Sequence, residues 1–515
     1  MRQPLAALII TTTLLAATAC GTGGSSDGSA DKDSASGGSK AGAGGGSVDP
    51  ARIPGLRLAN DSSEGGSCRW ATSYPVIPGA DTLTAALKAY VEKERDSYIE
   101  NQKERDGEGS ACAEGVSGGD AGAAEGGHEL NVSFSFLAAS ADVVGLRFSR
   151  FESGGAGDGL SDTTMWFDGS TGKVVPALSL ISDNKAKLFQ FLNALKTALK
   201  GHEGVTPDML AEALVAPRDT TLNNLAFTSK GDLRVAFDAG TVGPPAAGAV
   251  TAEVPSDEVK PLLSDFGGRV WEQIVNPGKG LALDGTPAPG ESEAGEPDKG
   301  GTAPAKRSVD CLKSKCVALT FDDGPGQYTQ ELLKHLAAYN ARATFFMVGR
   351  NAELQPGVVR EVVAAGHELG SHSWEHRDLS RMTVGEVRTD LDSTNAAIKK
   401  ITGSDPTVMR PPYGAHNATV DAATRLPMIL WSIDTEDWKY HDSAKVSATV
   451  NTTVRPGDIV LMHDIHATSV AAVPSVLEKL KADGYEFVTV SELYGPDGPK
   501  AGTALSSRQD AFGRN

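Results

Sequence analysis

Four short strings in the last third of the chain carry the residue types that a metal-dependent hydrolase uses. The strings are Thr320-Phe321-Asp322-Asp323-Gly324-Pro325, His372-Ser373-Trp374-Glu375-His376, Arg410-Pro411-Pro412-Tyr413 and Leu461-Met462-His463-Asp464. Together they supply a carboxylate pair, two imidazoles four residues apart, a cation and one further imidazole. A mononuclear metal hydrolase needs such a set, because it requires metal ligands, a general base, a group that orients the base and a general acid.

The carboxylate pair, Asp322 and Asp323, follows an apolar segment and precedes Gly324-Pro325, which predicts a strand that ends in a tight turn. Adjacent carboxylates point in different directions, so one can bind a metal ion while its neighbour accepts a proton. An Asp-rich turn that caps the next helix is the alternative for this string alone. The other three strings favour the chemical interpretation.

His372 and His376 would lie on one face if their segment were helical. With Asp323 they form a set of three ligands that leaves positions open for water, as catalytic zinc requires. We therefore predict a site for Zn²⁺ or another divalent transition metal at these three residues. Two surface histidines on a polar loop are the alternative that this spacing leaves open.

Three further side chains have properties that suit such a site. Arg410 precedes a stiff Pro-Pro-Tyr segment, and a cation fixed there can keep a base carboxylate ionised and oriented. His463 ends a predicted strand, where its imidazole could donate a proton to a leaving amine. Asp437 could raise the pKa of a histidine, and Trp438 could form a wall of the pocket. A solvated arginine, a capped strand end and a structural tryptophan are the corresponding alternatives.

Short strands and helices alternate between Ser308 and Tyr494, which predicts repeated βα units. The predicted strands lie at 317–321, 343–348, 367–369, 428–433, 459–462 and 485–488, and the predicted helices lie around 332–336, 358–365, 384–401 and 470–482. Repeated βα units imply a parallel sheet covered by helices, open or closed into a barrel. Each string lies at or just after a strand end, the rim that carries the chemistry in barrels.

The region before residue 277 has a different pattern. Apolar and polar residues alternate at 130–136, 144–148 and 233–237, which predicts half-buried strands, and Asp81 is a candidate cap for a helix. These features predict an α+β domain with an antiparallel sheet. The class as a whole is therefore α/β, with this α+β accessory domain in front.

The first twenty residues indicate export. A basic start precedes an apolar run at 5–15 and small residues before Cys20, which is typical of a secretory signal and resembles a bacterial lipobox. We predict a lipid anchor on Cys20 at the extracellular face of the bacterial cell membrane; an ordinary cleaved signal, and hence secretion, is the alternative. The predicted divisions are a signal peptide at 1–19, a disordered tether at 20–48, the accessory domain at 49–277, a linker at 278–307, the catalytic domain at 308–495 and a disordered tail at 496–515.

Composition agrees with an exported protein. The chain has 515 residues and a net charge of −18 without a basic block, which argues against nucleic-acid binding. Four cysteines remain besides Cys20, and an oxidising location predicts two disulfides. We expect Cys68–Cys112 and Cys311–Cys316, since each pair falls within one domain, although spacing leaves the other connectivities open. The sequence indicates no oligomeric state.

The four strings and Asp437-Trp438, taken in order, resemble the motifs of the polysaccharide deacetylase family, the homologues of the nodulation protein B chitooligosaccharide deacetylase (carbohydrate esterase family four). The resemblance covers about Cys316 to Tyr494. It implies a distorted (β/α) barrel and a Zn²⁺-dependent hydrolase that cleaves linear amide C–N bonds and removes acetate from N-acetylated sugars.

The resemblance also implies a role for each matching residue. Asp322 would be the general base, tethered by Arg410, and Asp323, His372 and His376 would bind the metal. The backbone N–H of Tyr413 would stabilise the oxyanion, His463 would be the general acid tuned by Asp437, and Leu461 and Trp438 would line the acetyl pocket.

The predicted location makes peptidoglycan the nearest polymer, with N-acetylglucosamine favoured over N-acetylmuramic acid. A chitooligosaccharide or acetyl-xylan deacetylase is the alternative within the enzyme class, because the motifs contact the acetyl group and not the polymer. The N-terminal region is similar to an accessory domain found in some Gram-positive peptidoglycan deacetylases and in lysozyme-sensing anti-sigma factors. A wall-binding or lysozyme-sensing lipoprotein is therefore the alternative from another class.

Overall fold

The computed structural model describes residues 48–63, 68–106, 128–154, 159–278, 280–283, 309–496, 498–501 and 504–512. The signal peptide, nearly all of the tether, Cys20 and Cys112 lie outside the described residues, so these predictions stay open. Within the described ranges, no helix combines the length and the apolarity that a membrane crossing requires. We call residues 48–283 the N-terminal domain and residues 309–512 the C-terminal domain.

The N-terminal domain is built on two sheets. The larger sheet contains, in spatial order, β1 (Arg57–Ser63), β2 (Cys68–Val76), β3 (His128–Ser140), β4 (Val143–Ser153), β5 (Gly159–Asp168) and β6 (Lys173–Pro176). The smaller sheet contains β7 (Leu225–Phe227), β8 (Leu233–Phe237) and β9 (Val250–Val254). The helices are α1 (Asp81–Asp106), α2 (Lys185–Leu199), α3 (Pro207–Val215), α4 (Arg218–Thr221), α5 (Ser256–Val259) and α6 (Asp265–Val275).

The larger sheet is antiparallel except at one pair of strands, where the prediction is wrong. Strands β2 and β3 run parallel, with Cys68 opposite His128. The 26-residue helix α1 lies between them in the chain and supplies the crossover that a parallel pair needs. A pattern of alternating residues indicates a strand but not its direction, so the sequence did not reveal this pair.

The C-terminal domain contains a sheet in which every pair is parallel. Its strands are β10 (Lys315–Asp322), β11 (Thr344–Met347), β12 (Glu368–Ser371), β13 (Val408–Met409), β14 (Met428–Ile429), β15 (Ile433–Asp434), β16 (Ile459–His463), β17 (Tyr485–Phe487) and β18 (Ala504–Leu505). The helices are α7 (Thr329–Ala338), α8 (Gly349–Leu354), α9 (Pro356–Ala364), α10 (Val384–Thr402), α11 (Ala418–Ala423), α12 (Asp437–Tyr440), α13 (Ser443–Thr453), α14 (Ala467–Ala482), α15 (Val490–Tyr494) and α16 (Arg508–Phe512). The predicted βα alternation is confirmed.

The strand order β15-β16-β10-β11-β12-β13-β14-β18 explains how the sheet curves into a distorted barrel. The single strand predicted at 428–433 is two strands: β15 lies at one end of this order, and β14 lies second from the other end, beside β18. Leu430 N–H donates to Leu505 O at 2.8 Å, and Ser432 N–H donates to Ile459 O at 3.0 Å. The chain therefore changes partners within three residues and joins the two ends of the sheet. We call residues 430–432 the seam.

Two predicted boundaries are wrong because short apolar segments belong to the folded domains. The tail predicted to be disordered at 496–515 contains β18, which pairs with β14 and buries Leu505. The linker predicted at 278–307 begins too early, since Leu281 and Leu283 pack in the core of the N-terminal domain. Two or three apolar residues produce no periodicity, so only their packing partners reveal them.

The predicted disulfide between Cys311 and Cys316 is confirmed, and it closes a short loop before β10. Because Cys112 is not among the described residues, the Cys68–Cys112 pairing stays a prediction.

Candidate metal and catalytic site

The carboxyl ends of three parallel strands bring the predicted residues together. Strand β10 ends at Asp322, which lies opposite His463 at the end of β16. On the other side of β10, strand β11 separates it from β12, which ends immediately before His372. Parallel strands share the edge at which they end, so residues as far apart in the chain as Asp322 and His463 meet at one rim.

The three predicted metal ligands form one cluster. Asp323 Oδ1 lies 3.3 Å from His372 Nε2 and 3.0 Å from His376 Nε2. All candidate ligand atoms lie within 4.8 Å of one another, and all three residues are buried. This is the spacing of side chains around a single ion rather than around separate ones.

The segment from His372 to His376 is a loop, so the helical arrangement that would place these histidines on one face is not the one present. Ser373 and His376 have φ values of +62° and +61°, in the left-handed region. The loop is closed by a hydrogen bond from His376 N–H to Ser373 Oγ at 2.9 Å. These backbone turns bring the two imidazole ring centres to within 5.0 Å of each other. Two residues four positions apart on a helix would also lie close together.

The hydrogen bonds of this cluster fit a divalent cation. Arg410 O accepts a hydrogen bond from His372 Nδ1 at 2.8 Å, which assigns the proton to Nδ1 and the lone pair to Nε2. That lone pair faces Asp323 Oδ1, also an acceptor, at 3.3 Å. Two acceptors at this distance repel unless a cation lies between them. Burial alone would raise the pKa of Asp323, but positive charge beside it, which the imidazoles supply when they are protonated, holds the pKa well below its usual range, so the carboxylate is available as a ligand.

The second carboxylate, Asp322, is held by Arg410. The guanidinium Nη1 donates to Asp322 Oδ1 at 2.8 Å and to Thr320 Oγ1 at 2.9 Å. Arg410 is completely buried and also donates to Ile429 O and Leu430 O, each at 2.9 Å. Burial raises the pKa of Asp322, and the charge of Arg410 is the largest effect that opposes the rise. The result is an oriented carboxylate with a raised pKa, which suits a general base.

His463 and Asp437 form a second oriented pair. Asp437 Oδ1 accepts a hydrogen bond from His463 Nδ1 at 2.8 Å, and Asp437 Oδ2 accepts one from the backbone N–H of His463 at 2.8 Å. Although burial acts to raise the pKa of Asp437, His463 holds it well below its usual range. Asp437 is therefore ionised, and it can stabilise the protonated imidazole that a general acid requires.

Three other predicted residues lie around this centre. Tyr413 has φ +61° and packs edge-to-face on His376, with ring centres 4.7 Å apart. Leu461 is buried in β16, two residues before His463 and thus on the same face of the strand. Trp438 follows Asp437 in α12 and is half-buried. Their roles in oxyanion stabilisation and in lining the acetyl pocket stay predictions.

Two further residues that the sequence reasoning did not assign lie at the carboxylate pair. Ser62 of β1 donates from Oγ to Asp323 Oδ2 at 2.5 Å, and Asn351 donates from Nδ2 to Asp323 O at 3.0 Å. A side-chain hydroxyl from a strand 261 positions earlier in the chain has no sequence signal that links it to this site. Asp464 lies beneath the turn, where a Cβ on Gly324 would come within 2.5 Å of its Oδ1, so a larger residue at this position would force the Asp464 carboxylate to move.

Comparisons with known proteins agree with this geometry. A family model described as polysaccharide deacetylase matches residues 310–429. The peptidoglycan-N-acetylglucosamine deacetylase PgdA of Listeria monocytogenes is 47% identical over 183 residues, which are 35% of this chain and 39% of that enzyme. A peptidoglycan-N-acetylglucosamine deacetylase of Bacillus cereus is 35% identical over 238 residues, which are 43% of this chain and 86% of that enzyme.

One relative is similar along both domains. The peptidoglycan-N-acetylmuramic acid deacetylase PdaC of Bacillus subtilis is 26% identical over 441 residues, which are 85% of this chain and 88% of that enzyme. The similarity to the Listeria enzyme, by contrast, spans only 39% of its length. The matching family model, the identity to the Bacillus cereus enzyme over most of its length and the assembled motifs lead to one conclusion: this chain belongs to the polysaccharide deacetylase family.

Proposed function

We propose that this protein is a zinc-dependent deacetylase that removes N-acetyl groups from N-acetylglucosamine units of peptidoglycan. The observation that carries the proposal is the placement of two differently tuned pairs, Asp322 with Arg410 and Asp437 with His463, at one metal-ligand cluster. The names of the relatives from Listeria and Bacillus support peptidoglycan as the polymer.

The chemistry divides between a base and an acid. When bound at Asp323, His372 and His376, a zinc ion would polarise the acetamide carbonyl and acidify water. Asp322 accepts the proton of the attacking water, while Arg410 fixes the direction in which its carboxylate points. This first half of the reaction needs Asp322 ionised, a condition that Arg410 favours against the effect of burial.

The second half needs a proton on the leaving nitrogen. His463 donates it from Nε2, since Nδ1 is engaged by Asp437. The backbone N–H of Tyr413 would stabilise the negative charge on the carbonyl oxygen, an effect of about 3–4 kcal/mol for one donor in other hydrolases. The products are acetate and a sugar with a free amine, and base and acid in opposite protonation states give a bell-shaped dependence of rate on pH.

N-Acetylmuramic acid is a second candidate for the sugar. It is favoured by the similarity to PdaC, which extends through the N-terminal domain as well as the catalytic one.

We also infer that the protein acts outside the cell membrane, anchored through a lipid on Cys20, on the basis of the signal-like start of the sequence. Labelling with a radioactive fatty acid, which Cys20→Ala would abolish, tests the anchor.

The deciding experiment compares substrates side by side. Acetate release is measured with zinc-loaded protein on peptidoglycan muropeptides, chitooligosaccharides and acetylated xylan, with Asp322→Asn as the matched inactive control. Mass spectrometry of the muropeptides then assigns the lost acetyl group to one sugar or the other. Acetate from muropeptides supports the proposal, whereas release from the other polymers alone refutes peptidoglycan as substrate. Binding to cell walls without any acetate release would instead indicate a wall-binding or lysozyme-sensing protein.

A further inference from the structure

The N-terminal sheet covers the rim on which the catalytic residues lie. Asp322, Asp323 and His463 have exposed fractions of 2%, 4% and 0%. The cavity left between strands β1–β3 and the residues Asp323 and His376 has a volume of about 30 Å³. This volume holds about two water molecules, whereas sites for small organic ligands occupy about 300–1,000 Å³. An acetylated sugar ring does not fit in this cavity.

The cover is formed by the polar side of β1–β3. We define the covering face as the side chains of Ser62, Arg69, Glu129, Asn131 and Ser133. We define the ligand loop as residues 372–378, which contains two of the three metal ligands. Sequence alternation predicted that β3 is a half-buried strand, but its polar side chains are buried as well, against the C-terminal domain.

Polar contacts join the covering face to the ligand loop. Arg69 Nη1 lies 2.8 Å from Asp378 Oδ2, and both side chains are buried. Asp378 N–H donates to Glu129 Oε1 at 3.0 Å, and Asn131 Nδ2 donates to Glu375 O. Each contact therefore depends on both domains at once.

The cover also contacts the metal centre itself. Ser62 Oγ donates to Asp323 Oδ2, the carboxylate oxygen that does not face the imidazoles. On the other side of the ligand loop, Arg350 Nη1 donates to Phe134 O of β3 at 2.6 Å. These contacts hold β1 and β3 directly above the ligands.

The contacts between the covering face and the ligand loop are polar, as in domain interfaces that can separate. The apolar residues of β3 point the other way, where Leu130, Val132 and Phe134 pack in the core of their own domain. Polar groups that part are hydrated again, so the net contribution of each hydrogen bond to holding the two domains together is small. Polar interfaces between domains of one chain commonly permit relative motion.

We propose that the covering face is a docking surface for the ligand loop of the same chain, and that the cover must lift before a glycan chain reaches the catalytic residues. The docked cover and a bound polysaccharide then cannot occupy the site at the same time, so the closed arrangement is an inhibited resting state. The identity of the competing substrate rests on the proposed function, but the docking itself does not.

The test uses the full-length, zinc-loaded protein with substitutions on the cover only. Arg69→Glu places a carboxylate against Asp378, and Asn131→Asp places one against the carbonyl of Glu375. Both new side chains become hydrated when the cover lifts, so neither should unfold the N-terminal domain. Arg57→Glu is the matched control, because Arg57 is exposed at the start of β1 and carries the same change of charge.

Two readouts are measured for each variant: the rate at which a chelator removes zinc, and kcat/KM for acetate release from a soluble chitooligosaccharide. We expect Arg69→Glu and Asn131→Asp to raise both at least about tenfold, while Arg57→Glu resembles the wild type. Arg69→Lys keeps the positive charge and should release zinc at nearly the wild-type rate. Circular dichroism shows whether Arg69→Glu or Asn131→Asp is misfolded. If one of them is, the proposal is judged on the variant that folds.

The outcomes separate the two proposals. Faster zinc removal accompanied by faster acetate release supports the cover and the deacetylase together. Faster zinc removal without acetate from any substrate supports the cover and contradicts the proposed function. Unchanged zinc removal in folded Arg69→Glu and Asn131→Asp refutes the cover, whatever the level of activity.

Discussion

Asp437→Asn removes the negative charge beside His463 while keeping almost the same side-chain shape. In the native protein one carboxylate oxygen accepts from His463 Nδ1 and from the backbone N–H of Trp438, and the other accepts from the backbone N–H of His463. An asparagine has only one acceptor oxygen, so its NH₂ group must face one of these donors. The imidazole therefore loses a charged partner and part of its orientation.

The size of the effect follows from the contact that is lost. A hydrogen bond to a charged group contributes about 1.5–3 kcal/mol, and one pKa unit corresponds to about 1.4 kcal/mol. The pKa of His463 should therefore fall by about 1–2 units. His463 must be protonated to act as the acid, so a lower pKa moves the high-pH limb of the rate profile to lower pH by the same amount. Above that limb, activity falls about 10- to 100-fold.

The assay is the pH dependence of kcat for acetate release, with zinc content measured on the same samples. Asp434→Asn is the control, because it removes the same charge three positions earlier in the chain and leaves the contact between His463 and Asp437 in place. A high-pH limb that stays in place in zinc-replete Asp437→Asn would refute the assignment of His463 as the acid tuned by this carboxylate.

Four further outcomes are expected. Asp322→Asn should keep its zinc but lose about 10²- to 10⁴-fold in kcat, as for other general bases, and acetate release at the native rate would remove Asp322 from that role. His372→Ala should bind zinc at least about tenfold more weakly in a chelator competition, and unchanged affinity would contradict its role as ligand. The disulfide Cys311–Cys316 closes a loop of sequence separation 5, and its reduction should lower the unfolding free energy by about 2 kcal/mol in denaturant titrations. An unchanged unfolding free energy would mean that the loop is equally ordered without the disulfide. Burial raises the pKa of Glu129 to about 7, so the wild type loses stability as pH rises from about 4.5 to about 7. Glu129→Gln should abolish that loss and be up to about 3 kcal/mol more stable than the wild type at pH 8. If the unfolding free energies of the two proteins changed with pH in the same way, that result would count against the burial of this charge.

The elements around the site could be read from the sequence because each combines an apolar strand with a chemical motif at its end. Segments such as β10 and β16 are almost wholly apolar until the residue that acts, so both the strand and its end are visible. The conformation of the ligand loop stayed undecided because four-residue spacing is common to helices and to tight turns, and only the φ values of Ser373 and His376 distinguish them.

Contacts between the two domains could not be predicted at all. Ser62 and Asn131 are ordinary polar residues in strands, and such residues usually face solvent. Their burial depends on a surface that is formed by residues more than 200 positions away. The parallel pairing of β2 with β3 was missed for a related reason, since strand direction depends on the path of the connection and not on the pattern within either strand.

The hydrogen bonds of Arg410 couple the closure of the barrel to the orientation of the base. Its Nε and Nη2 groups donate to the carbonyl oxygens of Ile429 and Leu430 at the start of the seam, while Nη1 donates to Asp322. Strands β10, β14, β15 and β16 should therefore lose their amide protection in one cooperative event, and native-state hydrogen exchange should show them as a single unit. The protein should therefore have no partly melted form in which Asp322 keeps its orientation, so on heating, any acetate release and the barrel should disappear at the same temperature.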